Sequence, residues 1–130
     1  MKLFLLTLFI GASSLYYSQV KKRELGYYQG IISSYTLNTG QELISVDSSV
    51  ILVWLEKDRI SFKLDNKEYR GTYSVKERNK RNYILMAKLS FSDIEEELRI
   101  NGKNKIMWRK GLFPQPDSNL KKLKKKEVVW

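Results

Sequence analysis

The 130-residue chain has no cysteine, no histidine and two prolines. Without cysteine there can be no disulfide framework, zinc-thiolate site or thiol nucleophile. Without histidine, the usual general base of hydrolytic triads and the commonest ligand of catalytic zinc are missing. An enzyme built from this chain would have to run on carboxylates, Lys or Tyr. The sequence also lacks a Gly-rich phosphate loop, a serine elbow and a glycosidase-type carboxylate pair. These absences point to a non-enzymatic protein without metal or organic cofactor.

Acidic charge is also scarce: 24 Lys and Arg face 14 Asp and Glu, a net charge of +10. Such a balance favours anionic surfaces such as lipopolysaccharide, nucleic acid or acidic glycans. It also fits a Lys-rich protein that simply needs solubility.

The longest apolar run is at the start. Met1-Lys2 precedes Leu3-Phe4-Leu5-Leu6-Thr7-Leu8-Phe9-Ile10 and then Gly11-Ala12-Ser13-Ser14. A basic start, a short apolar run and small residues describe a secretory signal peptide, and the run is short for a membrane span. Ala12 and Ser14 suit cleavage after Ser14. The ending Tyr17-Ser18-Gln19 resembles Bacteroidetes-type leaders, which favours cleavage after Ser18. Lys21-Lys22-Arg23 just beyond the run opposes translocation and keeps an uncleaved anchor open. With no cysteine after the apolar run, a lipoprotein anchor is excluded. The expected product is exported, periplasmic or secreted, and monomeric. Removing 18 residues leaves 112, room for one domain.

From residue 19 the chain reads as β-rich runs at roughly ten-residue spacing, the mark of an all-β fold. The runs are Tyr27–Leu37, Leu43–Val46, Val50–Leu55, Arg59–Asp65, Glu68–Val75, Asn82–Ser90, Ile94–Ile100 and Lys105–Lys110. Turn residues separate them, among them Asn38-Thr39-Gly40, Asp47-Ser48-Ser49 and Asn101-Gly102. In Arg59–Asp65, Ile60, Phe62 and Leu64 alternate with Ser61, Lys63 and Asp65, giving one apolar and one wet face. A two-residue turn at Asn66-Lys67 would set Leu64 opposite Tyr69, Phe62 opposite Gly71 and Ile60 opposite Tyr73. In the last hairpin, a Gly102–Asn104 loop would pair Ile100 with Ile106, Leu98 with Trp108 and Glu96 with Lys110. A one-residue slip offers Glu96 Arg109 instead. Val50–Leu55 and Tyr83–Ala87 are apolar on both faces, as in central strands or strands covered by another segment. The expected fold is one antiparallel up-and-down meander of about seven or eight strands, curling into a barrel or half-barrel.

Ile60-Ser61-Phe62, then Tyr69-Arg70-Gly71-Thr72-Tyr73-Ser74-Val75, then Ile94 to Leu98-Arg99-Ile100 resemble small bacterial lipocalin-like domains of the calycin type. Those domains show an I-x-F strand, a G-x-W/Y-x-V strand and late strands ending in a cationic one. The resemblance spans Tyr27–Lys110 and implies a β-barrel domain over residues 19–113 that binds a small hydrophobic ligand or lipid. The Gly-x-Trp opening of the family is replaced by Gly26-Tyr27-Tyr28, and no closing helix is evident.

Candidate sites follow from this frame. Trp54, Phe62, Tyr69, Tyr73, Tyr83 and Trp108 would line a ligand pocket, or else fill a small barrel's core. Lys76, Arg78, Lys80 and Arg81 form a basic hairpin tip suited to anionic groups or a protein partner. No open aromatic platform flanks the tip, which argues against nucleic acid. Glu95-Glu96-Glu97 alternate across a strand and cannot converge on one metal. From Gly111 the chain changes character: Pro114 and Pro116 interrupt both helix and ladder. Residues 114–130 then read as a basic tail carrying Lys121, Lys122, Lys124, Lys125 and Lys126. Capped at Asp117 or Ser118, the tail could form a marginal helix with Leu120 and Leu123 on one stripe, suited to an anionic membrane surface. Two functions remain open. One is an exported carrier of a small hydrophobic molecule. The other is an envelope or secreted interaction or inhibitor module acting through the tip and tail.

Overall fold

Alternating apolar residues can bury one face of a strand only if the sheet stacks on another layer or closes on itself. Here it closes. The computed structural model describes residues 19–90, 93–112 and 114–130; the leader lies outside the described residues. The strands are β1 (Gly26–Ile32), β2 (Tyr35–Asn38), β3 (Leu43–Val46), β4 (Ser49–Leu55), β5 (Ile60–Leu64), β6 (Lys67–Asn79), β7 (Asn82–Leu89), β8 (Glu95–Asn101), β9 (Ile106–Arg109) and β10 (Ser118–Lys122). Eight of them form a closed antiparallel up-and-down barrel in the order β1-β10-β9-β8-β7-β6-β5-β4, while β2 and β3 make a separate hairpin. The all-β meander expected from the alternation is therefore present, and it is a full barrel.

The inner face is built from the alternating positions. Tyr28, Ile51, Val53, Leu55, Ile60, Phe62, Leu85, Leu98, Ile100 and Met107 form one continuous core. Outside stand Arg70, Lys88, Glu95, Glu97, Arg99 and Lys121. Apolar inside and charged outside is the reverse of a membrane-spanning barrel. Among the described residues, no helix is long and apolar enough to cross a membrane either.

Four sequence expectations are corrected. First, the β5–β6 register is shifted by two residues: Leu64 faces Lys67, Phe62 faces Tyr69 and Ile60 faces Gly71. The turn is Asp65-Asn66, whose φ values of 48° and 70° suit a hairpin turn that needs two left-handed residues. Asp and Asn tolerate that region, whereas Lys67 would be a poorer occupant. A two-residue shift preserves parity, so the inward faces are unchanged. Gly71 instead permits close contact with β7, because a Cβ there would overlap the Lys88 carbonyl and the Leu89 backbone.

Second, β8–β9 takes the slipped register, pairing Ile100 with Met107 and Leu98 with Arg109. The loop needs a fourth residue, Lys105, at φ 56°. That one-residue slip turns Met107 and Arg109 inward and Trp108 outward. Third, the Tyr27–Leu37 run breaks after Ile32, and its second half joins β3 in the excursion hairpin.

Fourth, residues 114–130 are not simply a tail beside the barrel. Ser118–Lys122 form β10, which joins β1 to β9 and supplies Leu120, 0% exposed, to the core. A helix would give Leu120 and Leu123 a stripe. Strand pairing instead gives every β10 backbone group a chance of a ladder partner and removes both sheet edges. Gly30 makes room, since a Cβ there would meet the Asn119 carbonyl. Beyond β10 the chain lies on the outer wall. There Trp130 packs edge-on against Tyr27 and Trp54, at 5.8 and 5.9 Å between ring centroids. This segment covers Trp54 on the outer face of β4, while Val50 on that face stays exposed.

Candidate functional site

The two barrel ends differ. At one end the chain enters through a 3-10 turn, Lys22–Glu24, that plugs the opening. Glu24 is 1% exposed and accepts hydrogen bonds from Arg81 Nη2 at 2.7 Å and Arg81 Nε at 3.2 Å. The Tyr28 hydroxyl donates to the Glu24 carbonyl at 2.6 Å, and the Tyr83 hydroxyl accepts from the Lys21 amide at 3.3 Å. Tyr73 donates to the Glu56 and Lys57 carbonyls at 2.5 and 2.9 Å. Burial, reinforced by Asp58 and Glu56, pushes the Tyr73 hydroxyl up to about 12. Burial and then Glu24 raise Tyr28 as well, against a smaller opposing effect from Arg81. Side chains and hydrogen bonds fill the barrel interior at this end, and a cleft of ≈ 570 Å³ lies outside it between the entering chain and the β4–β5 turn, lined by Val20, Lys21, Lys22, Leu25 and Lys57.

The opposite end is less full. A pocket of ≈ 260 Å³ lies where β4, β5, β6, β7, β8 and β9 end, beneath Tyr35 of the β2–β3 hairpin. Ile51, Phe62, Leu64 and Leu89 give it apolar walls, Leu112 and Gln115 stand at the connection to β10, and Tyr69, Glu96 and Arg109 supply polarity. Glu96 Oε1 accepts from Arg109 Nη2 at 2.7 Å, and both side chains are under 10% exposed. Arg109 Nη1 donates to Gln115 Oε1 at 2.7 Å, and its guanidinium lies 5.8 Å from the Phe62 ring centroid. The other halves of this ion pair, Glu96 Oε2 and Arg109 Nε, are buried without a hydrogen-bond partner, as is Ser118 Oγ, the ladder partner of Arg109 on β10. Buried polar atoms almost always find partners, and these three are shut off from the cavity surface, so the ion pair forms the cavity's wall and offers those atoms to nothing inside it.

Compared with known proteins, the chain matches no family model, no curated protein and no solved structure. The site therefore has to be read from its own chemistry.

The six aromatics of the sequence-based pocket do not converge. Phe62 and Tyr69 line the end cavity. Tyr73 and Tyr83 point inward at the plugged end, as their hydrogen bonds show. Trp54 stacks on Tyr27 on the outer wall, 5.2 Å between centroids. Trp108 is also outside, beneath Arg99, and lines an outer groove of ≈ 430 Å³ with Ile84, Ile106 and Asn101. That groove is larger but lies on the outer wall, whereas the end cavity opens into the barrel and has a buried ion pair in its wall, which makes it the better candidate.

The basic candidates divide as well. Lys76 occupies a bulge, between the Val75–Leu85 and Glu77–Ile84 pairs, and is exposed. Lys80 and Arg81 form the turn itself. Arg81 is committed to Glu24, and Arg78 lies over the Tyr83 ring at 5.2 Å while its Nε donates to the Lys80 carbonyl. Lys122 donates to the Arg23 carbonyl, and desolvation lowers its pKa. Lys121, Lys124, Lys125 and Lys126 remain exposed.

Sequence reasoning missed Tyr35, Arg109 and Gln115 as pocket residues. Only Arg109 carried a signal: Glu96 faced inward and needed a cation opposite. Among the described residues no group of carboxylates is placed to hold a metal ion.

Proposed function

We propose that this chain is an exported, non-catalytic binding protein of lipocalin-like type that carries a small hydrophobic molecule in the hairpin-end cavity. The observation behind this reading is the pairing of apolar walls with a buried ion pair at the mouth of the barrel. An eight-stranded barrel is wide enough either to fill itself or to hold one small ligand, and here the interior is filled around Glu24 while the hairpin end keeps a cavity. The hairpin is the natural gate. It is attached at β1 and β4, contributes Tyr35 to the pocket, and exposes Leu43 and Ile44.

Two measurements test this. Native mass spectrometry of the full chain, isolated from its own envelope or medium, should show a co-purifying small molecule lost on denaturation. Calorimetry with 1-octanol should show saturable binding that weakens at least about tenfold in Leu112→Trp, where the larger ring blocks the pocket. Bare protein together with no octanol binding would overturn the reading.

A second reading rests on a different observation. Exposed Lys21, Lys22, Lys57, Lys80, Lys103 and Lys105 all stand around the plugged end. This end would contact anionic lipid or lipopolysaccharide, or an acidic envelope protein, with a strong salt dependence. Co-sedimentation with anionic vesicles at low and high salt tests it, and salt-independent or absent binding counts against it.

A further inference from the structure

We infer that the cleft beside the entering chain is a binding site for a phosphate monoester, free or on a lipid head group. The inference rests on the second reading above and narrows it, from the basic charge of the whole plugged end to one built site.

Four cations from three separate segments meet at this cleft. Lys21 and Lys22 come from the entering chain, Lys57 from the β4–β5 turn and Arg78 from β6. Among the described residues no carboxylate lines it. The acids of the same segments are engaged elsewhere. Glu24 is buried against Arg23 and Arg81 at 3.3 and 2.7 Å, and Glu56 and Asp58 lie 3.9 and 4.0 Å from Arg59. Glu77, beside Arg78 in sequence, lines the outer groove and not this cleft. Arg23, Arg59, Arg70, Arg81, Arg99 and Arg109 each have a carboxylate within 4.0 Å. Arg78, alone among the described arginines, has none.

The site is also held in place. Arg78 lies over the Tyr83 ring at 5.2 Å and its Nε donates to the Lys80 carbonyl, which leaves its two Nη nitrogens to a ligand. The Tyr83 hydroxyl accepts from the Lys21 amide at 3.3 Å, and Tyr73 donates to the Lys57 carbonyl at 2.9 Å. Two inward tyrosines thus tie all three segments to the filled barrel interior, so the backbone behind each cation is ordered before a ligand arrives.

Charge sets the ligand class. A carboxylate or a phosphate diester brings one negative charge and leaves most of the positive charge unmatched. A phosphate monoester brings about −1.5 to −2 at neutral pH and three terminal oxygens, enough to meet a guanidinium and two ammonium groups at once. Val20 and Leu25 add apolar wall beside the cations. The cleft's ≈ 570 Å³ equals about nineteen waters at roughly 30 Å³ each, so the body of the ester has room there too.

Calorimetry and vesicle co-sedimentation on the full chain, at neutral pH and physiological salt, separate the sources. The soluble probe is monobutyl phosphate, with pentanoate as its carboxylate control. The membrane probe is phosphatidylcholine vesicles carrying phosphatidic acid, a monoester, against vesicles matched in surface charge with phosphatidylglycerol, a diester. Lys57→Gln/Arg78→Gln strips the cleft, and Lys103→Gln/Lys105→Gln removes the same charge from the same end outside it. The monoester should bind at least about tenfold more tightly than its control, and this preference should vanish in the cleft variant but persist in the other. Lys57→Gln alone, at an exposed side chain, should lower it in the same direction without touching the Tyr83 stack. A preference for butyl phosphate identifies a free ester, and one seen only on vesicles identifies a lipid head group. Vesicle binding with no preference for the monoester, or with equal loss in both double variants, overturns the cleft and leaves the second reading standing. No binding to butyl phosphate or to either vesicle overturns both.

Discussion

Replacing Arg109 by Met and Glu96 by Leu, singly and together, probes the buried ion pair that organises the open end of the barrel. The two side chains are 6% and 8% exposed. Arg109→Met leaves the Glu96 carboxylate buried with no cation and takes the donor from Gln115 Oε1. Breaking a buried pair from one side costs about 3–5 kcal/mol. Glu96→Leu should fall near the lower bound, because Arg109 keeps Gln115 and the Phe62 ring. The double variant carries no buried charge and replaces the pair with apolar groups, so it should lie within about 1 kcal/mol of the parent or above it. The coupling between the sites is then about 5 kcal/mol, well beyond ordinary non-additivity. In a domain worth about 5–15 kcal/mol, each single change is a large fraction of the total. Urea unfolding followed by tryptophan fluorescence would show the single variants with midpoints lower by about 1–3 M at unchanged m, and the double variant restored. A double variant as unstable as the sum of the singles would refute the reasoning. So would single variants within about 1 kcal/mol of the parent, since the pair would then be effectively solvated.

Three shorter predictions follow from other parts of the barrel. Leu120→Ala, in the strand that closes the sheet, should cost about 2–5 kcal/mol by thermal or urea unfolding; a cost below about 1 kcal/mol would mean that the closure is loose. Gly71→Ala drives a Cβ into the backbone of β7 and should lower the melting temperature by several degrees, whereas an unchanged melt would show that β6 and β7 can separate locally. Tyr28 and Tyr73 have pKa values raised above the ordinary 10.0, so the folded state holds their protons more tightly than the unfolded chain. Their contribution to stability is complete below pH 10 and is lost as pH climbs toward about 12. Tyrosinate absorbance should accordingly show a late-titrating class, and a single transition near pH 10 would contradict the burial of both hydroxyls.

Much of the barrel could be read from alternation alone. Ile60, Phe62 and Leu64 face the core as their spacing requires, and Tyr83, Leu85 and Ala87 do likewise. Registers were less legible. Asp65, Asn66 and Lys67 allow two placements of a two-residue turn, and the choice depends on which residues accept a left-handed backbone. Around Gly102 the alternatives differ by one residue, which exchanges the inside for the outside and moves Trp108 to the surface. β10 was hidden because its inward pattern is a serine, a leucine and a lysine, set among lysines and preceded by two prolines. Its place comes from closing the edges of β1 and β9, a long-range demand that no local window contains. The pocket was half visible. Phe62 and Tyr69 were foreseen as inward aromatics, and the need of Glu96 for a cation pointed to the right strand. Tyr35 was not foreseen, because the break after Ile32 that forms the hairpin has no strong turn residue to announce it.

The most direct test of where this protein holds its ligand is amide chemical-shift mapping of the isotope-labelled chain during titration with 1-octanol. The pocket assignment predicts saturable shifts centred on Tyr35, Tyr69, Leu89, Leu112 and Gln115. Shifts centred instead on Trp108 and Ile84 in the outer groove, or on the Lys80–Arg81 turn, would contradict it.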